Sequence, residues 1–124
     1  LVTIIRVFRN ITYWNLIVKM RASIMGNMEH QEVTLVEKED LAGILFSNVD
    51  VLEDPVKRRL RQIYLERAER LGNAYHGKVK MTFMTEEGKM MMVNTTIWSA
   101  DNQFITLKGG VHIPTIAVIE VEFS

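Results

Sequence analysis

The spacing of apolar positions changes period at Gly72. Before it, Val56, Leu60, Ile63, Tyr64 and Leu71 recur every 3.6 residues, the stripe of an amphipathic helix. Asp54 is suited to accept hydrogen bonds from the free first-turn amides, and Pro55 suits the first helical position. Gly72 is the residue type at which helices end in a left-handed turn. A helix over residues 55–71 is therefore predicted. After Gly72 the period is two. Val79, Met81 and Phe83 alternate with Lys78, Lys80 and Thr82, the mark of a half-buried strand. Glu86, Glu87 and Gly88 make a turn, and residues 90–98 form a second strand, apolar on both faces. Ala100, Asp101 and Asn102 turn the chain into a third strand at 104–107. Lys108, Gly109 and Gly110 make a tight turn into a fourth, which Pro114 breaks because proline cannot donate to a ladder. Ile119, Val121 and Phe123 then alternate with Glu120 and Glu122. Strands joined by short turns imply an antiparallel meander. The fold class expected is α+β: a meander or SH3-like or PH-like barrel of four to five strands, packed with one long helix at 55–71.

Upstream the pattern is weaker. Residues 31–36 read as a short strand through Val33 and Leu35. Residues 38–46 read as a short helix through Leu41, Ile44 and Leu45, weakened by Gly43. Residues 1–28 differ from everything after them. They are apolar, with Phe8, Tyr13 and Trp14, and carry Arg6, Arg9, Lys19 and Arg21 with no acid. Arg6, Arg9, Asn10 and Asn15 interrupt the run too often for a membrane span, which needs about twenty nearly unbroken apolar residues. The order of charge and apolarity is also wrong for a secretory signal. Three readings stand: an amphipathic segment for a membrane surface or partner, an element docked on the domain, or an extension foreign to the native protein or flexible. The last is preferred, with Met20, Met25 and Met28 as alternative starts and residues 29–124 as one α+β domain.

Charge and cysteine content narrow the function classes. The 124 residues suit one domain with a core of its own. Fifteen bases cancel fifteen acids, which argues against a general polyanion binder. With four bases and no acid in residues 1–28, the remainder carries eleven bases against fifteen acids, net negative by four. The absence of cysteine excludes disulfides and thiolate metal sites and suits the cytoplasm. No cofactor motif is present. Gly109-Gly110 lacks the flanking residues of a phosphate loop and leads into a strand instead of a helix.

One set of residues carries a resemblance. Leu71-Gly72-Asn73, Tyr75, Gly77-Lys78-Val79-Lys80, Asn94-Thr95-Thr96-Ile97-Trp98, Leu107-Lys108-Gly109-Gly110, Ile113-Pro114 and Val121-Glu122-Phe123 together form a pattern. It resembles a family of short uncharacterised bacterial proteins in which a helix precedes a small β-barrel. The likeness spans about residues 71–123 and implies a fold without implying an activity.

Candidate chemistry is sparse. Met90 and Met92, with Trp98 on the same side of the second strand, would form an adaptable apolar patch. Either it is an interaction surface or the N-terminal segment or the helix covers it. Lys57, Arg58, Arg59 and Arg61 cluster at the helix start as candidate phosphate contacts, against the alternative of a solvated face with Glu66 and Glu69 interleaved. Arg67 falls within the apolar stripe and would have to snorkel. His30, His76 and His112 lack metal-ligand spacing, though His76 and His112 could meet in space. The leading expectation is a non-enzymatic protein-interaction or regulatory module, binding a protein partner or itself through Met90, Met92 and Trp98. A nucleic-acid-binding barrel, using the basic helix start with Tyr75 or Trp98 for stacking, comes second. An enzyme using His76 or His112 as acid or base comes third.

Overall fold

A computed structural model describes residues 32–123. Expectations for residues 1–28 fall outside them. The architecture is α+β: one long helix and two sheets, of four and three strands, in place of a closed barrel. Strand β1 (Val33–Val36) leads to a 3₁₀ turn (Lys38–Gly43) and then to helix α1 (Pro55–Tyr75). There follow β2 (Val79–Met84), β3 (Met90–Thr95), β4 (Ile97–Ala100), β5 (Phe104–Leu107), β6 (His112–Pro114) and β7 (Val118–Phe123). The larger sheet has the order β1-β3-β2-β7 and the smaller β4-β5-β6.

The meander survives only in pieces. β2–β3 is an antiparallel hairpin and β4–β5–β6 a three-strand meander. The expected second strand is cut at Thr96, where the chain leaves one sheet for the other. Thr96 is held there from two sides: its carbonyl accepts the Lys108 N–H at 2.9 Å and its hydroxyl donates to the His76 carbonyl at 3.3 Å. The return passage runs through a 3₁₀ turn, Thr115–Ala117. Thr115 fixes it by donating its hydroxyl to Asp101 O at 2.8 Å and its N–H to Gln103 O at 2.9 Å. β7 then pairs with β2, and β1 joins parallel to β3. Such distant pairings leave little local signal in a sequence. Pro114 sits on edge strand β6, where its missing N–H costs no ladder bond. Gly109 and Gly110 both take positive φ in the β5–β6 turn, as their position predicts.

Helix α1 differs from the prediction in length and phase. Asp54 caps it, accepting the Val56 N–H at 2.8 Å, and Pro55 opens it. It does not stop at Gly72. It runs one more turn to Tyr75, and His76 takes the left-handed conformation at φ 54°. The residues buried along it are Lys57, Arg61, Leu65, Ala68 and Gly72. Val56 and Ile63 face solvent, while Leu60, Tyr64 and Leu71 are half-buried. The true inner face combines Leu65 with two long polar side chains and two small residues, and all but Leu65 are scored as neutral or outward by a hydrophobicity pattern.

Gly72 has a different task from the one expected. A Cβ there would collide with the Ile97 carbonyl oxygen and stand 3.1 Å from Thr96 Cγ2, so only glycine lets α1 lie against β4. Glu69 reinforces the seam by accepting the Ala100 N–H at 2.9 Å. Between helix and sheets lies the core: Leu65 and Ala68 of α1, Val79, Met81 and Phe83 of β2, and Val93 and Val121 beside them. Ile97, Ile105, Leu107 and Ile113 complete it from the smaller sheet, and Leu41 of the 3₁₀ turn reaches in from the end.

Candidate interaction surface

The four bases at the start of α1 do not form one patch. The 100° step of the helix turns Lys57 and Arg61 inward and leaves Arg58 and Arg59 outside. Arg61 makes a two-pronged pair with Asp50, each prong 2.9 Å, and donates further to the Val118 carbonyl at 3.2 Å. Arg58 donates from Nε to the Leu52 carbonyl at 2.6 Å and stands 3.2 Å from the same Asp50 carboxylate. Burial alone would push the Asp50 carboxyl up. The Arg61 fork, the Leu52 N–H at 2.9 Å and the charges of Arg61 and Arg58 outweigh it and hold the group below its ordinary value. Two of the four candidate phosphate contacts are therefore bound to one acid, and a third has its stem buried. Arg67 is exposed, and its guanidinium lies over the Phe123 ring at 4.9 Å from the centroid, a cation–π contact at the helix–β7 boundary.

The methionine patch resolves through strand register. Pairing places Met81 with Val93 and Phe83 with Met91 on the core side. Alternation then sends Thr82, Met84, Met90 and Met92 to the opposite face of the larger sheet, with Val33 and Leu35 of β1 and Glu120 of β7. Met90 and Met92 are on the outer face as expected, yet they are only 2% and 6% exposed. Trp98 belongs to the other sheet. It is the extra residue at the bulge between Ile97 and Ser99, and it is 45% exposed. Met90, Met92 and Trp98 therefore do not form one open patch.

The open apolar surface lies on the smaller sheet. Ile105, Leu107 and Ile113 point to the core, so Phe104, Thr106 and His112 face outward. Phe104 is 51% exposed and meets the His112 ring edge-on at a centroid distance of 6.3 Å. His112 Nδ1 and Thr106 Oγ1 share a hydrogen bond of 3.0 Å across the strands. Asp101 sets the start of β5 by accepting the Gln103 and Phe104 N–H groups at 2.7 and 2.8 Å. Those two amides hold its carboxyl below the usual range, the Phe104 bond weighing most. Ser99 pairs with Thr106, and Trp98 stands one strand over from Phe104. The result is an outward face with two large aromatic side chains, a histidine and two hydroxyls.

His76 and His112 do not meet. His76 ends α1, exposed, while His112 is engaged with Thr106 and Phe104. Among the described residues no three His, Asp or Glu side chains gather as a metal site, and no helix is long and apolar enough to cross a membrane.

Sequence reasoning missed Asp50, Glu69 and Phe104. Asp50 and Glu69 act through partners eleven and thirty-one residues away, for which the sequence holds no signal. Phe104 was legible. Phe104-Ile105-Thr106-Leu107 alternates, and the strict period of two puts Phe104 with Thr106, away from the two core residues. No family model, curated protein or solved structure matches this chain.

Proposed function

We propose that this chain is a non-enzymatic protein-interaction module. It associates, most simply with a second copy of itself, through the outer face of β4–β6, with Trp98 and Phe104 as anchors. The observation that carries this reading is the exposure of these two large aromatic residues on a face whose reverse side is sealed core. Aromatic side chains supply much of the binding energy of interfaces, and grouped exposure of this kind marks contact surfaces. The same reading takes the two sheets, linked by the β3–β4 and β6–β7 passages, as an opened small barrel of the SH3-like or PH-like kind. It fits a cytoplasmic protein that needs no disulfide. Nucleic-acid binding is less favoured because Arg58 and Arg61 are committed to Asp50.

Light scattering and sedimentation across a concentration series test the reading. Self-association is expected, with Trp98→Ser plus Phe104→Ser weakening it about tenfold or more, the effect of losing about 1.4 kcal/mol of contact. A chain that is monomeric throughout, or an assembly indifferent to both substitutions, would defeat it.

A further inference from the structure

We infer that association through the outer face of β4–β6 is switched off by acid, with His112 as the sensor. The inference rests on the proposed interface and adds its regulation. His112 is built into that face. Its ring meets the anchor Phe104 edge-on, with 6.3 Å between centroids and 70° between planes. Its Nδ1 shares the 3.0 Å bond with the Thr106 hydroxyl. Register sets Ser99, Thr106 and His112 in one row across the three strands. A partner seated on Phe104 therefore covers His112. When two copies meet about a two-fold axis, each uses the same face, so two His112 rings are enclosed.

Histidine is the side chain whose charge ordinarily changes between about pH 5 and pH 8. In the neutral ring, the Thr106 hydroxyl can donate to Nδ1 or accept from it. In the charged ring both nitrogens carry protons. Thr106 must then accept, and Nε2 presents a second donor together with a full charge. Covering that charge is costly unless an acid meets it.

The surroundings offer no such acid. Among the described residues His112 joins no ion pair. Across the row it has Ser99 from β4 and Thr106 from β5, with Phe104 beside them, and none is charged. Lys108 stands at the β5–β6 turn. Lys38 Nζ reaches the same turn, 3.8 Å from where a Cβ on Gly109 would lie. Asp101 lies beyond Phe104 at the opposite end of β5, where it accepts the Gln103 and Phe104 amides. Glu69 of α1 is engaged with the Ala100 N–H on β4, the other edge of the sheet. The second copy brings a like charge, its own His112. Enclosure thus favours the neutral ring. Association is complete above the histidine range and is lost as pH falls through it. With two rings per pair, linkage lets Kd rise by up to about a hundredfold per pH unit at the acid limit.

Sedimentation equilibrium of the full chain at about pH 7.5 and about pH 5.5 reads the switch. Kd of the parent should rise at least about tenfold at the lower pH, and that of His112→Gln by less than about threefold, because an amide serves Thr106 without taking a charge. Asp50 and Asp101 are held below 3.8, so both stay charged throughout. His30→Gln and His76→Gln should each behave as the parent. The His112 ring resonance of the parent should titrate at a lower pH in concentrated than in dilute protein. Coincident titration curves would overturn the inference, as would an equal weakening of His112→Gln, which would place the sensor elsewhere. A parent that associates equally at both pH values would end the switch and leave the interface reading standing. A parent that is monomeric at both would end the two together.

Discussion

The two halves of α1 reach the sheets by opposite means. The first half packs through length and charge. Arg61 extends to Asp50 and the Val118 carbonyl, and the stems of Lys57 and Arg61 fill the space beneath. Past the fully buried Leu65, the second half packs by having almost no side chain, with Ala68 in the core and Gly72 set against the β4 backbone. Only part of the apolar stripe that hydropathy picks out is used: Tyr64 and Leu71 pack against the core, while Val56 and Ile63 face solvent. A helix can thus be held firmly by residues that no hydrophobic pattern selects, when a salt bridge works at one end and close approach at the other.

The steric end should be the more brittle. Gly72→Val puts a branched side chain where even a Cβ meets the Ile97 carbonyl. Helix propensity improves slightly, but α1 must lift from β4 and strain the Glu69 to Ala100 bond. A loss of about 3 kcal/mol is expected, the upper part of the overpacking range, read as a lower urea midpoint. A variant within about 0.5 kcal/mol of the parent would mean that the helix is not seated as described.

At the charged end, Asp50→Ala takes the carboxylate away from the buried Arg61 guanidinium and leaves it the Val118 carbonyl, which neutralises no charge. Breaking a fully buried pair costs about 3–5 kcal/mol; Asp50 keeps some contact with water, so about 2 kcal/mol is expected. Adding Arg61→Met should recover part of that loss, because the stranded charge is then gone. Additive losses in the double variant would show that the two residues do not act together. The pH dependence follows from the direction of the shift. The folded state holds Asp50 below its ordinary 3.8, so its contribution is complete above that value and disappears as pH falls through the folded pKa. Stability measured downward from about pH 5 should therefore fall more steeply in the parent than in Asp50→Asn. Asp101 is shifted in the same direction, so the variant should retain some acid sensitivity.

This contrast also marks what the sequence could disclose. The cap at Asp54, the Pro55 start, the position of β2 and the Gly109-Gly110 turn are local, and each stands where the pattern puts it, although Thr82, on the polar side of the β2 alternation, is buried. The split of the second strand at Thr96 depends on Lys108 and His76, remote in sequence, and the pairing of β7 with β2 joins strands far apart in the chain. The phase of α1 was lost for another reason, since Arg61 and Gly72 become inner residues only once Asp50 and Ile97 are in position. The candidate surface was half legible. Trp98 is exposed as expected, but assigning Met90 and Met92 to its side required one continuous strand, and the chain changes sheets between them.

The smallest effect should have the opposite sign. Helix α1 ends at His76, a residue with a Cβ held at φ 54°, while Gly72 lies four residues earlier within the helix. The two positions divide what one C-terminal glycine commonly does: Gly72 provides clearance, and His76 bears the left-handed turn. The His76 N–H to the Gly72 carbonyl at 3.0 Å and the Gly77 N–H to the Leu71 carbonyl at 3.4 Å involve backbone only. The bond from Thr96 also lands on the His76 carbonyl. His76→Gly keeps all three bonds and removes the cost of a side chain in that conformation, at the expense of a more flexible unfolded chain. A net gain of about 0.5 kcal/mol is expected, a rise of roughly 2 °C in Tm for a domain of this size. A loss of stability would mean that the imidazole holds the end of α1 by a contact stronger than the strain it bears, and the division of labour between Gly72 and His76 would fail.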